Sequence, residues 1–339
     1  MSLNAVSIPL DQGIFVWYKD SQIIGIIVSF VDDLLWGGIE MFVSVINSLK
    51  KKFDIGSETT SDLAYIGINL RQRNDHSITI SQDAYIQNLQ TIQLQQIDTS
   101  DKLRQLTDHE RTLLRKALGQ LNWLANISRP EISFTVSEIS SRVNSSSVSD
   151  LLSVNKAIKF VQTTQGHLTI PNLNLNAISI HVYADASFNN LAEGHSQGGQ
   201  IVLLTDNSGS CSPISWASNK IKRVVKSTLA AESMSFVEGA DSAYFVRQLL
   251  SQILKSQPDS YPIKGFTDSK SLFETIGTSH QIADKRLRVE ISAIRQMVDN
   301  DEIKIEWVTK DQQLSDILTK KGAYPNLLMR VLQKASLTY

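Results

Sequence analysis

Asp185, Glu232, Asp268 and Asp316 are carboxylates supplied by separate stretches of one chain, residues 178–187, 227–232, 266–268 and 313–316. Any one of them, taken singly, reads most simply as a helix cap or a solvated charge. Each stretch nevertheless places its acid at the start or end of an element. Convergent carboxylates with no His or Cys partner suit a hard, oxygen-preferring cation, Mg²⁺ or Mn²⁺, rather than zinc. Uncompensated, such a cluster repels itself and one member stays protonated. Two ions about 4 Å apart remove the repulsion and form a site for in-line phosphoryl transfer.

These acids need elements to bring them together. Ile178, Ile180, Val182 and Ala184 alternate with Ser179, His181, Tyr183 and Asp185, the period of a strand with one buried face. Residues 199–204 and 214–217 predict two more strands, and 227–254 a long helix with Leu229, Phe236, Ala240, Ala243 and Leu250 inward. A strand over 263–267, a short helix from Ser269, a helix over 285–298 and a strand over 303–308 follow. A last helix is expected to open near Asp311. This order implies a mixed sheet with helices on both faces, its first and fourth strands side by side and parallel. Asp185 and Asp268 then emerge at neighbouring strand ends. Trp216 and Trp307 are expected in the core.

The first half reads differently. Residues 15–18 and 23–31 form two apolar strands, the second running into Phe30-Val31-Asp32-Asp33. Adjacent acids pair poorly within a strand but fit a tight hairpin turn. A helix over 41–49, strands over 63–70 and 77–80, and a mostly helical region over 82–166 follow. Within that region Thr107 and Glu110 have capping-box spacing, Arg129-Pro130 stops a helix, 144–149 is a loop and 151–161 a helix. Residues 171–176 read as a linker.

At 339 residues the chain has room for two domains. No window is apolar for the length of a membrane span, and residues 1–10 lack the pattern of a secretory signal. Cys211 is the sole cysteine, which excludes an internal disulfide and a multi-Cys zinc site and fits a reducing, intracellular compartment, cytoplasmic or nuclear. A net charge of −1 gives no global attraction to a polyanion, so binding of one requires local basic patches. Lys220, Lys222, Arg223 and Lys226 precede the Glu232 helix, and Lys285, Arg286 and Arg288 open another. The histidines show no metal-ligand spacing.

Over nearly its whole length the sequence resembles the Pol polyproteins of Ty1/copia-type retrotransposons, in their reverse transcriptase and RNase H regions. Phe30-Val31-Asp32-Asp33 is similar to the family's aromatic-x-Asp-Asp polymerase motif, and Ser128-Arg129-Pro130-Glu131-Ile132-Ser133 to its thumb segment. The stretches 183–187, 196–199, 214–216, 227–232, 267–269 and 313–320 follow its RNase H pattern. The resemblance implies an α/β fold: an RNase H-like mixed five-stranded sheet with helices on both faces, preceded by an α+β palm and thumb fragment. It implies residues 1–170 as truncated reverse transcriptase, 171–325 as the RNase H-like domain and 326–339 as a C-terminal tail. It also implies a hydrolase that cuts the RNA strand of RNA–DNA hybrids. Asp185, Glu232, Asp268 and Asp316 would be catalytic ligands of two Mg²⁺ or Mn²⁺ ions, with Lys220, Lys222, Arg223, Lys226, Lys285, Arg286 and Arg288 on the nucleic acid. The expected partners are the hybrid and other Pol segments, with no membrane and no small-molecule cofactor.

The sequence departs from the pattern twice. Reverse transcriptases need a third catalytic Asp upstream of the Asp-Asp hairpin, and only thirty-one residues precede Asp32. Asp32 and Asp33 are then a polymerase-motif remnant, and DNA synthesis by this chain alone is not expected. Residues 308–313 also lack the His that many cellular RNases H carry before the last acid; Lys310 stands there as a solvated residue or a phosphate contact. Two other readings stay open: a silent remnant that binds nucleic acid or Pol partners, and a polymerase subunit completed by a separate fingers and palm fragment.

Overall fold

The computed structural model describes residues 5–94, 97–278, 282–321 and 326–337. The 325 boundary and residues 1–4 lie outside them. The chain begins with an antiparallel sheet in sequential order, β1 (Val6–Ile8), β2 (Asp11–Lys19), β3 (Gln22–Phe30) and β4 (Asp33–Gly38), backed by α1 (Val43–Lys50). Trp17, Ile27, Phe42 and Ile46 form its core. The Asp-Asp motif lies at the hairpin turn the sequence predicts: Phe30 pairs with Asp33 around Val31 and Asp32, and Val31 takes a φ of 53°. A β-branched residue adopts that backbone only under strain.

β5 (Asp62–Tyr65), β6 (Ile68–Gln72) and β7 (Ile78–Ser81) form a second antiparallel sheet, followed by α2 (Asp83–Gln87), α3 (Asp108–Ile127), α4 (Ser133–Ser141) and α5 (Val148–Thr163). The Thr107–Glu110 capping box opens α3 as its spacing predicts. The α5 helix starts three residues before the expected position 151. Asp150 accepts from the Ser147 amide at 2.9 Å, so the serine run contains a second N-terminal cap. Arg129 is buried and ties the bundle together. Its guanidinium donates to Glu131 at 2.5 Å, to the Val161 carbonyl at 3.1 Å and to Thr164 Oγ1 at 2.6 Å. After α5, β8 (Leu168–Ile170) returns to pair with β7.

The second half holds β9 (Ser179–Ser187), β10 (Ser196–Thr205), β11 (Cys211–Ile221), α6 (Thr228–Leu254), β12 (Ile263–Thr267), α7 (Lys270–Gly277), α8 (Lys285–Asp299), β13 (Lys304–Trp307) and α9 (Asn326–Lys334). Its five strands run β11-β10-β9-β12-β13, antiparallel among the first three and parallel from β9 to β12 to β13. This is the RNase H-like mixed sheet expected, with helices on both faces. One face packs Ile180, Val182, Ala184 and Val202 against Phe236, Ala240 and Ala243 of α6 and Ile291 and Ile294 of α8. The other packs Tyr183, Ile201, Leu203 and Phe266 against Leu314, Leu318, Leu328 and Leu332.

The last helix forms later than residue 311. The stretch around Asp316 is instead two 3-10 turns, Lys310–Gln312 and Asp316–Leu318, separated by the extended Gln313 (ψ 102°). Gln313 is diverted because its side-chain amide donates to the Ala184 carbonyl at 3.0 Å and its own Oε1 accepts from Ser315. Residues 326–337 pack back on the sheet: Cys211 donates its amide to the Ala335 carbonyl and Leu337 to that of Gly209. The halves touch closely. Trp216 Nε1 donates to the Ala125 carbonyl of α3 at 2.7 Å, and Tyr18 Oη to that of Ile253 at 2.7 Å.

Candidate metal centre and nucleic-acid interface

The parallel pairing of β9 with β12 builds the site. Phe266 is level with Tyr183, so Asp268 and Asp185, each two residues further on, leave the sheet side by side. α6 crosses above them and is clamped there by Ser235, whose hydroxyl donates to the Asp185 carbonyl at 2.8 Å and accepts from the Gly199 amide at 3.2 Å. One turn earlier on α6, Glu232 accepts from the Ala186 amide at 3.1 Å. Carboxylate oxygens of Asp185, Glu232 and Asp268 consequently lie within 4.8 Å of one another, as one divalent ion would require. Asp185 and Glu232 are buried and Asp268 is half-buried.

Asp316 is not a fourth member of that group. It is linked to it through Lys320, one helical turn away: the ammonium lies 3.3 Å from Asp185 Oδ2 and hydrogen-bonds Asp316 Oδ1. Thr319 Oγ1 also donates to Asp185 Oδ2. Gly199 makes this approach possible. It sits opposite Asp185 on β10, and a Cβ there would fall 2.7 Å from both Leu318 Cβ and Thr319 Cγ2. Thr319 and Lys320 belong to a stretch the sequence marks as a motif, although their residue types alone assign neither a role. The signal available was the i, i+4 spacing of Asp316 and Lys320.

Electrostatics match the geometry. Burial, then the Asp185 and Asp268 charges, push the Glu232 carboxyl up to about 9. Burial and Asp185 raise Asp268 as well. Burial alone would lower the Lys320 ammonium, yet the Asp185 charge and the Asp316 hydrogen bond outweigh it and raise it. The protein thus carries a group of buried acids that costs free energy and that a hard divalent ion would neutralise. The all-oxygen donor set fits Mg²⁺ or Mn²⁺.

The basic residues fall into exposed and already paired groups. Lys222 and Lys226 are exposed and Lys220 is half-buried at the end of β11. Arg223 is already paired, at 2.7 Å to Glu290 and 3.2 Å to the Met234 sulfur. Arg288 donates to the Ile282 carbonyl, whereas Lys285 and Arg286 are exposed in the first turn of α8, above its Asp284 cap. Trp216 is spent on the contact with α3. Trp307, expected in the core, is 46% exposed because it ends an edge strand; its indole donates to the Asp268 carbonyl at 3.2 Å. Asp32 and Asp33 are exposed and, among the described residues, join no cluster of three metal-ligating side chains.

The sequence is 26% identical over 97% of its length to the Retrovirus-related Pol polyprotein from transposon RE1 of Arabidopsis thaliana. It is also 27% identical, over 59% of its length, to a transposon Ty5-1 protein of Saccharomyces cerevisiae. This chain is related to retrotransposon Pol polyproteins. It spans 23% of the RE1 polyprotein and 67% of the Ty5-1 protein. No model of a known protein family matches the chain. Among solved structures, RNase H1 from the archaeon Halobacterium salinarum NRC-1 overlaps 42% of this chain and 94% of its own at 16% identity and TM-score 0.31. The foamy viral protease-reverse transcriptase in complex with RNA/DNA hybrid overlaps 88% of this chain and 38% of its own at 11% identity and TM-score 0.48. The strand order β11-β10-β9-β12-β13, with its antiparallel and parallel pairings, itself gives this Pol-related chain its mixed sheet. Among the described residues no helix is long and apolar enough to cross a membrane.

Proposed function

We propose that this chain is a metal-dependent endonuclease that hydrolyses the RNA strand of RNA–DNA hybrids, within a Pol-type fragment. The observation that carries the reading is the meeting of Asp185, Glu232 and Asp268 within 4.8 Å at the end of an RNase H-like sheet. In this proposal residues 1–170 are the polymerase-type part and 171–325 the nuclease, with α9 from the 326–339 tail completing its second face. Divalent ions, two in the full reaction, would supply Lewis-acid polarisation of the scissile phosphate and an activated water. Asp185, Glu232 and Asp268 would hold one of them, and Asp316 would contribute to the other.

The remaining work falls to the protein's own groups. Ser235 and Gln313 fix the end of β9, so Asp185 is oriented by backbone and not by a free loop. Lys285 and Arg286 stand where the helix dipole disfavours positive charge, so the fold gains little from them there. Their exposure suits phosphate binding, as does that of Lys222 and Lys226. The Asp32-Asp33 turn lacks a third carboxylate among the described residues, so the isolated chain should not extend a primer.

Cleavage of a labelled RNA–DNA hybrid with and without Mg²⁺ tests the proposal. Asp185→Asn should abolish cleavage with the fold intact, and full activity in that variant would remove Asp185 from the mechanism. Failure of the wild-type chain to cut in Mg²⁺ or Mn²⁺ would leave the reading of a silent remnant.

A further inference from the structure

We propose that Lys320 is a built-in counter-cation of the acid cluster, which takes the place between Asp185 and Asp316 and makes binding of an ion by those two acids conditional on its withdrawal. The inference rests on the metal reading above and adds a regulatory element to it. Three observations carry it. The Lys320 ammonium spans Asp185 Oδ2 and Asp316, two carboxylates that the three-acid group does not itself join. The contact is built by the chain: Gly199 has no Cβ to obstruct the Leu318–Thr319 turn, and Thr319 pins that turn to the same Asp185 oxygen. Finally, the Lys320 side chain is 33% exposed and borders a cleft of about 720 Å³, lined also by Lys310, Asp311, Asp316 and Lys321. A four-carbon stem has room there to turn its ammonium into solvent without disturbing the core.

The arrangement divides the ion positions. The place formed by Asp185, Glu232 and Asp268 is open to a cation at once. A cation held by Asp185 and Asp316 would first have to displace a fixed positive charge, so it should bind more weakly. Lys320 is thus a positioning residue for the acids in the metal-free protein and a competitor for one ion in the loaded one. A polyanion entering the cleft offers its phosphates to the displaced ammonium. The second ion would then be admitted together with substrate.

The test is Mn²⁺ binding to the full chain, by calorimetry and by the spin signal of free Mn²⁺, in wild type, Lys320→Met and Lys320→Arg. Wild type should bind one ion tightly and a second weakly. Lys320→Met should tighten the second at least tenfold, and Lys320→Arg, which keeps the charge, should not. A readout on wild type needs no folded variant: saturating Mn²⁺ should increase acylation of Lys320 by an amine reagent, read by mass spectrometry, several-fold over the metal-free protein. Tight binding of one Mn²⁺ with the same second-ion affinity in all three proteins, and no change in Lys320 labelling, would overturn the counter-cation and leave the metal site standing. Absence of any Mn²⁺ binding in wild type would overturn the metal reading, and this inference with it.

Discussion

Removing one negative charge from the acid group should have opposite effects with and without metal, and Asp268→Asn is the cleanest way to see both. Asn keeps the shape and the hydrogen-bonding reach of Asp. At pH 7 Glu232, pushed up to about 9, is protonated, so the charge that Asp268 mainly faces is Asp185. Two unit charges separated by the 4.8 Å limit of the group repel by about 3.5 kcal/mol at an effective dielectric of about 20. Lys320 offsets part of this, and Asp268 is half-exposed, which leaves a net relief of about 1 kcal/mol. That relief should raise the melting temperature of the metal-free protein by about 1–2 °C. With Mn²⁺ at about a hundred times its dissociation constant, wild type gains about 2.7 kcal/mol. The variant, with a neutral ligand in place of a carboxylate, should lose most of that gain. Paired thermal melts in EDTA and in Mn²⁺ decide it. A lower melting temperature for Asp268→Asn in EDTA would show that Asp268 supports the fold by contacts, and an undiminished Mn²⁺ shift would show that it is not a ligand.

Other consequences are equally direct. Gly199→Ala should destabilise the protein by about 1–3 kcal/mol by driving its methyl group into Leu318 and Thr319, and should weaken Mn²⁺ binding as the turn lifts from Asp185; melts and titration of the same sample test the coupling. Lys222→Ala should make the log–log salt slope of hybrid binding in Ca²⁺ shallower by up to about 0.9, whereas Arg223→Ala, which breaks the pair with Glu290, should change it less; equal slopes for both would restore a phosphate role to Arg223. Hydrogen bonds from Arg104 hold the Glu110 carboxyl down at about 2, below its usual 4.5. Its folded form releases the proton more readily than the unfolded chain, so the contribution is present above pH 4.5 and lost as pH falls towards 2. Glu110→Gln should cost about 1–2 kcal/mol at pH 7 and flatten that acid limb in urea melts across pH.

The second half was legible because its signals are local and repetitive. Strict alternation gave β9, a long apolar stripe gave α6, and the order of elements implied the parallel β9–β12 pair that brings Asp185 and Asp268 level. The capping box at Thr107 was legible for the same reason. Asn144–Ser149 was not, since a run of serines looks like a loop until Asp150 is seen reaching back to Ser147. The region around Asp316 escaped because what shapes it is distant in sequence. Gln313 is extended by a bond to Ala184, 129 residues earlier, and no local periodicity encodes that.

The same separation explains why the sequence points to the acids and not to their partners. A carboxylate at the end of an element is ordinary singly, but four of them at the ends of successive elements stand out together. A Thr or Lys in a polar turn is ordinary until the turn is seen lying on a glycine of the neighbouring strand. Gly199 therefore links the two kinds of information. Its missing side chain is what converts Asp316, Thr319 and Lys320 from a surface turn into a wall of the acid group. The backbone of that wall is held by Gln313 and Ser218, the latter donating to the Leu318 carbonyl, whereas the Lys320 ammonium is held by charges a metal ion would also seek. A rigid turn carrying a displaceable cation can admit an ion without refolding. The acid group can accordingly stay assembled before any ion arrives, at the cost of a Glu232 proton and a Lys320 contact that binding must then release.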